Sequence, residues 1–177
     1  MKLRYVLACS LATVMLTAPA NAEPVRSEVL ASDTTKVTVY SDEFADRYEY
    51  TGPSVAVLAR DRTEGMVMVA RKRAGGVSTP IYVTGFVMYP RDWRHYSTAV
   101  LRGGAALDFE KTGSDVNCYR SSCTLTESFR FQITPEQIAA HAVDGKISIQ
   151  VRAQSTDTLM IHIPVNHFTA VEEVSRT

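Results

Sequence analysis

Residues 146–153 read KISIQVRA, and residues 159–163 read LMIHI. In the first stretch Ile147, Ile149, Val151 and Ala153 alternate with Lys146, Ser148, Gln150 and Arg152; in the second, Leu159, Ile161 and Ile163 alternate with Met160 and His162. Successive side chains of a strand point to opposite faces, so a period of two turns one apolar face to a core and one polar face to water. One-sided strands of this kind belong to antiparallel sheets, because parallel sheets are covered on both faces. The two stretches predict an all-β fold, an antiparallel two-sheet sandwich (immunoglobulin-like or related), with a barrel as the alternative.

The remainder of the chain agrees with that reading. Segments rich in β-branched and aromatic residues at 37–40, 55–60, 66–73, 81–89, 97–101, 105–110, 116–119 and 123–133 predict further strands. Gly75-Gly76, Gly103-Gly104, Gly113 and Asp144-Gly145 punctuate them. No long helical pattern separates the strands, so crossover units are not expected. Thr134-Pro135-Glu136-Gln137 is a helix start, with Thr134 as cap, Pro135 in the first turn and Gln137 closing a capping box. That helix is expected to reach about Val143. A second short helix is expected from Asn166 to the C-terminus, carrying Phe168, Val171 and Val174 on one side.

The N-terminus has the layout of a secretory signal. Lys2 and Arg4 precede an apolar run from Tyr5 to Leu16, and Ala20-Asn21-Ala22 offers a small-x-small cleavage site. The run falls short of the roughly 20 apolar residues a membrane span needs, and no later segment reaches that length. The expected organisation is a signal peptide at 1–22, a flexible polar lead at 23–35 and a single β-sandwich domain at 36–177, placed in the periplasm after cleavage behind Ala22. Cys9 follows Val6-Leu7-Ala8, loosely like a lipoprotein site, but almost no apolar region precedes it, which argues against a lipid anchor. Losing Lys2 and Arg4 leaves 17 basic against 19 acidic residues, a formal charge of −2. That balance gives no ground for nucleic acid as a partner, nor for an anionic membrane surface.

Cys118 and Cys123 remain after processing, spaced C-x4-C. The spacing differs from C-x-x-C redox centres, no second pair completes a zinc site, and no metal or cofactor is expected. A hairpin with Tyr119-Arg120-Ser121-Ser122 as a four-residue loop would face the two cysteines across the strands. In an oxidising compartment they would close into a disulfide that pins the hairpin register.

Three places invite a functional reading. Glu127 sits on the apolar face set by Cys123, Leu125, Phe129, Phe131 and Ile133. A carboxylate there must be paired, protonated or at a solvent edge, since burying it ionised and alone is prohibitive. A structural ion pair is expected, with Arg102 as the proposed partner; general acid–base chemistry at Glu127 is the weak catalytic alternative. The stretch from Tyr89 to Tyr96, YPRDWRHY, holds the only tryptophan, and Arg91, Trp93, Arg94, His95 and Tyr96 form the candidate binding patch. Guanidinium groups beside aromatic rings combine stacking, cation–π contact and forked hydrogen bonds. The competing reading has Trp93 and Tyr96 filling the core where the strand bends at Pro90. Arg71-Lys72-Arg73 reads as a solvated strand end that discourages edge pairing. His95, His141, His162 and His167 lack metal-binding spacing, and nucleophile-elbow and phosphate-loop motifs are absent.

These features favour a non-enzymatic binding or scaffolding protein of the bacterial cell envelope, its partner an envelope protein or a glycan. A small envelope hydrolase using Glu127 with a histidine is one alternative, and a barrel carrying an apolar ligand is another. Exposure of Arg91, Trp93 and Arg94 together favours binding, Glu127 in a cleft beside a histidine favours catalysis, and a hollow interior favours the carrier.

Overall fold

A computed structural model describes residues 23–59 and 62–177. The expected signal peptide at 1–22 and Cys9 lie outside the described residues, as does Arg60 at the end of one expected strand. Among these residues thirteen strands follow in chain order: β1 (Val25–Leu30), β2 (Lys36–Asp42), β3 (Arg47–Thr51), β4 (Val55–Ala59), β5 (Thr63–Ala74), β6 (Val77–Ser78), β7 (Tyr82–Pro90), β8 (Tyr96–Leu101), β9 (Ala106–Tyr119), β10 (Ser122–Gln132), β11 (Ala142–Val143), β12 (Lys146–Ala153) and β13 (Thr158–Pro164). The helices are α1 (Pro135–His141) and α2 (Val165–Val174).

The pairings are antiparallel, and the ladder runs β1-β2-β3-β5-β7-β10-β9-β8-β12. Strand β9 belongs to both layers, pairing with β10 along most of its length and with β8 through Leu107 and Ala106. Strand β13 pairs with β12 and lies alongside β4, where the two layers meet again. The chain is thus an all-β sandwich whose layers are continuous through one long strand.

The decisive alternation folds as read. Ile147, Ile149, Val151, Leu159, Ile161 and Ile163 are fully buried, while His162 and Met160 face outward and are exposed. They meet Val67, Val69, Val83 and Val87 of the other layer in one core cluster. Burying each such side chain contributes about 1.5–3 kcal/mol before chain entropy is charged against it. Helix α2 closes one end with Phe168, Ala170, Val171 and Val174 buried, packing on β2 and β5. Gly52 makes that approach possible, because a Cβ there would meet Val171 Cγ2 at 3.3 Å.

Local rules hold at the turns and caps. Gly75 and Gly76 take φ of 55° and 74° between paired Ala74 and Val77, and Asp144 and Gly145 take 50° and 70° between Val143 and Lys146. Both are two-residue hairpins with the left-handed backbone that such turns demand. At α1 the Thr134 hydroxyl accepts the Gln137 N–H at 3.2 Å, and the Gln137 side-chain Oε1 accepts the Thr134 N–H at 2.9 Å. The helix ends at His141, two residues before the expected stop, because Ala142 and Val143 pair with β12 as β11.

Four further differences from the sequence reading concern the strands and the hairpin. Residues 25–30, read as part of a polar lead, form β1, held to β2 by a backbone ladder from Val25↔Ser41 to Leu30↔Lys36. Every β1 side chain is exposed, so the strand leaves no apolar period to detect. Strand β3 was not expected, since its alternating residues are Tyr48 and Tyr50 rather than aliphatics. The segments expected at 105–110 and 116–119 are one strand of 14 residues that runs through Gly113, with a register shift opposite Ser128 and Phe129. Finally, Tyr119 pairs with Ser122, so the hairpin loop is Arg120-Ser121 rather than four residues, and Arg120 takes a left-handed φ of 54°. Cys118 and Cys123 face each other in that register and are bonded, with Cα atoms 4.0 Å apart.

Candidate functional site

The loop 91–95 joins β7 to β8 at one end of the sandwich, and it is built around Glu127 on β10. Glu127 is 1% exposed. Its Oε1 accepts the Tyr89 hydroxyl and the His95 N–H (2.9 Å), and its Oε2 accepts the Tyr96 N–H (3.1 Å) and faces Lys111 Nζ at 3.3 Å. The Tyr89 oxygen in turn accepts the Arg94 N–H at 3.2 Å. Three consecutive backbone amides, those of Arg94 and His95 in the loop and of Tyr96 at the start of β8, are therefore tied, directly or through one phenol, to a single carboxylate. Arg91 and His95 bracket the loop in left-handed conformations, with φ of 79° and 57°. Non-glycine residues hold such angles only where surrounding contacts over-determine them, and here the Glu127 cluster supplies those contacts at His95.

Electrostatics follows from the same contacts. Burial pushes the Glu127 carboxyl upward, but the Tyr89 hydroxyl, the His95 N–H and Lys111 outweigh it and leave it below its usual range. Burial, reinforced by the hydrogen bond to Glu127, raises Tyr89 above its ordinary range. The carboxylate stays ionised and the phenol stays protonated, which is the state the donor pattern requires.

The ion pair expected at Glu127 is present, but its partner is Lys111 rather than Arg102. Arg102 lies beyond the end of β8 on the outer face of the other layer. Lys111 lies on β9, the hairpin neighbour of β10, where the register shift brings it beside Glu127. No histidine ring is among the groups bonded to Glu127; it meets His95 only through the backbone.

The five patch residues divide by burial. Arg91 and His95 are exposed, Trp93 and Arg94 are half-buried, and Tyr96 is buried. Arg94 lies over the Tyr89 ring at 4.5 Å, donates to Thr63 Oγ1 at 2.7 Å and Tyr96 Oη at 3.3 Å, and reaches Asp157 at 3.7 Å. Those contacts make it a strut of the loop. Trp93 stacks on His95 with ring centroids 6.3 Å apart, and Lys111 stands 5.6 Å from its ring. Outside this framework a cleft of about 600 Å³ opens between Arg62, Arg91, Asp92, Trp93, Arg94 and Asp157. Sequence spacing could not have shown Arg62 and Asp157 there, since they arrive from two distant strand ends, the starts of β5 and β13. Tyr89 and Lys111 were equally invisible as supports, because their role depends on a shared partner 38 and 16 residues away, respectively.

The remaining candidates have local partners. Arg71 donates to the Thr79 carbonyl and the Ser175 hydroxyl, Lys72 faces Glu49, and Arg73 stacks over Tyr48 at 4.4 Å. No group of three histidine, cysteine or acidic side chains is placed to hold a metal ion among the described residues, and no helix among them is long and apolar enough to cross a membrane. Comparison with family models, with curated proteins and with solved structures finds no match.

Proposed function

We propose that this chain is a non-enzymatic binding module of the bacterial cell envelope, exported by its N-terminal segment, and that the cleft beside loop 91–95 is its binding site. The ligand that suits the cleft carries an anionic group next to a flat, partly apolar face, as an acidic wall sugar does. One observation carries the reading: a buried carboxylate, directly and through Tyr89, holds three successive amides at the exit of the loop while Arg91 and Trp93 line an open cleft. A pre-organised loop gives up less entropy on binding, and arginine beside tryptophan offers forked hydrogen bonds and a stacking surface.

The hydrolase alternative loses its support at Glu127, whose oxygens are occupied and whose burial keeps water away. A carrier with a hollow interior is disfavoured too, since Phe129, Phe131, Ile133, Ile149 and Ile163 fill the inside.

Trp93 is the only tryptophan in the sequence, so its fluorescence reports the cleft directly. Titration with the N-acetylglucosamine–N-acetylmuramic acid disaccharide is expected to change the emission and to saturate. Chitobiose, which lacks the carboxylate, is expected to bind about tenfold more weakly, the effect of one charge-assisted hydrogen bond. Arg91→Ala should remove that difference. Absence of a saturable response to either sugar would sink the glycan reading and turn attention to a protein partner for the same cleft.

A further inference from the structure

We infer that the outer face of the β8–β12–β13 layer carries a second binding site, selective for a small oxyanion such as a phosphate or carboxylate group. A shallow cleft of about 240 Å³ lies there, more than a surface ripple and separate from loop 91–95. Its polar wall consists of Arg102, Arg152, Ser148, Gln150 and His162, and no aspartate or glutamate lines it. In a chain with equal numbers of acidic and basic residues, a cleft with two guanidinium groups and no acid is a local concentration of positive potential.

The register explains why these residues meet. Ser148 stands directly opposite His162, and Arg152 opposite Thr158, with their side chains on the face that the buried isoleucines leave to solvent. Arg102 follows Leu101, which pairs with Ile149, so it arrives beside Ser148 at the end of the third strand. The groups are also oriented. Ser148 Oγ is 2.9 Å from His162 Nδ1, and Arg152 Nε donates to Gln150 Oε1 at 2.7 Å, which leaves the outer end of that guanidinium for a ligand. Neither arginine takes part in an ion pair among the described residues. Two forked cations flanking a hydroxyl and an imidazole are donors matched to the several acceptor oxygens of an oxyanion. Met160, half exposed on the same wall, adds an apolar edge for whatever carries the anion.

A serine beside a histidine also suggests nucleophilic chemistry. Here the contact uses Nδ1, and no carboxylate among the lining residues can hold the other ring nitrogen and steady a positive imidazole. The arrangement recognises charge and does not activate a nucleophile.

The test is a nuclear magnetic resonance titration of protein expressed from the full sequence, using inorganic phosphate at constant ionic strength. Saturable amide shifts are expected to be confined to residues 102–104, 148–152 and 160–162. Combining Arg102→Gln with Arg152→Gln should weaken binding at least about tenfold, in line with loss of charged hydrogen bonds. Arg130→Gln, which makes a charge change on the other layer, should leave it unaltered. Because all the substituted side chains are exposed, an unchanged circular dichroism melt can confirm that the variants fold. Sedimentation with phosphatidylglycerol vesicles, against phosphatidylcholine, distinguishes a lipid headgroup from a soluble anion; loss of either interaction in the double variant supports the site. Shifts scattered over the surface without saturation, or equal phosphate affinity in the double variant, would overturn it.

Discussion

Tyr89 and Glu127 meet inside the sandwich from neighbouring strands, the phenol donating to the carboxylate while its own oxygen accepts the Arg94 N–H. Through this pair the interior of the protein dictates the shape of a surface loop. An acid on an apolar strand face looks like a misplaced residue in the sequence; in the structure it replaces the backbone partners that an irregular loop cannot provide for itself.

That role predicts a particular order of damage. Glu127→Gln keeps the shape but turns an NH2 group toward N–H donors, and should lower unfolding free energy by about 1–3 kcal/mol, the cost of an unsatisfied buried group. Glu127→Leu leaves the Tyr89 hydroxyl, two amides and Lys111 without their acceptor, and should cost about 3–5 kcal/mol, as breaking a buried charged cluster does. Urea unfolding of both variants measures this. A leucine variant as stable as the parent would show that the loop does not depend on the carboxylate.

The acid limb of stability should carry the same signature. Glu127 is held below its ordinary value of 4.5, so the folded state binds its proton less readily than the unfolded state. Its contribution is therefore complete above the unfolded value and lost as pH falls through the folded one. His167, which burial pushes down from 6.5 against the opposing charge of Asp33, loses its contribution in a separate window, as pH falls below its unfolded value. Unfolding free energies followed from neutral pH to about pH 3 should fall more steeply below 4.5 for the parent than for Glu127→Gln, with the two curves parallel at higher pH. Parallel curves throughout would mean that the fold does not lower the Glu127 carboxyl, and a shallower fall for the parent would mean that it is protonated in the folded protein.

How much of this was legible in the chain depended on whether the information was local. Ile147 to Ile163 announced a one-sided sheet because a period of two survives in any antiparallel fold. Thr134, Pro135 and Gln137 announced a helix start because capping is settled within four residues. Cys118 and Cys123 announced the hairpin because they face each other across it; the register shift after Ser128 is what put Lys111 within reach of Glu127, and nothing in the sequence marks that shift. Strand β1 escaped notice for the opposite reason, since an edge strand with every side chain exposed has no apolar pattern to show. The cleft was legible only in its own loop, as Arg62 and Asp157 come from distant strand ends.

Packing at the far end of the sandwich gives a third prediction. Gly52 faces Val171 Cγ2 and the His167 carbonyl at 3.3 and 3.5 Å from an added Cβ, so a larger side chain must push α2 outward. Gly52→Val should cost about 1–3 kcal/mol by overpacking, whereas truncating Val171 to alanine alongside it should restore part of the loss. A differential scanning calorimetry series of the two single variants and the double variant reads the coupling. Additive effects would place α2 too loosely for the contact to matter.

The disulfide supplies the fourth. Cys118 and Cys123 close a short loop, for which chain entropy predicts a gain of about 2 kcal/mol, small beside what the core contributes. Replacing both with serine should therefore lower the melting temperature modestly and leave the fold intact. The larger consequence is local. Pro90 pairs with Thr124, next to Cys123, so the stapled end of the hairpin abuts the strand from which loop 91–95 departs. Amide exchange in the serine variant should accelerate first at residues 116–124 and at 90–91, with β12 and β13 unchanged. Equal acceleration across both layers would show instead that the staple stabilises the whole domain and that the hairpin end is not an independent unit.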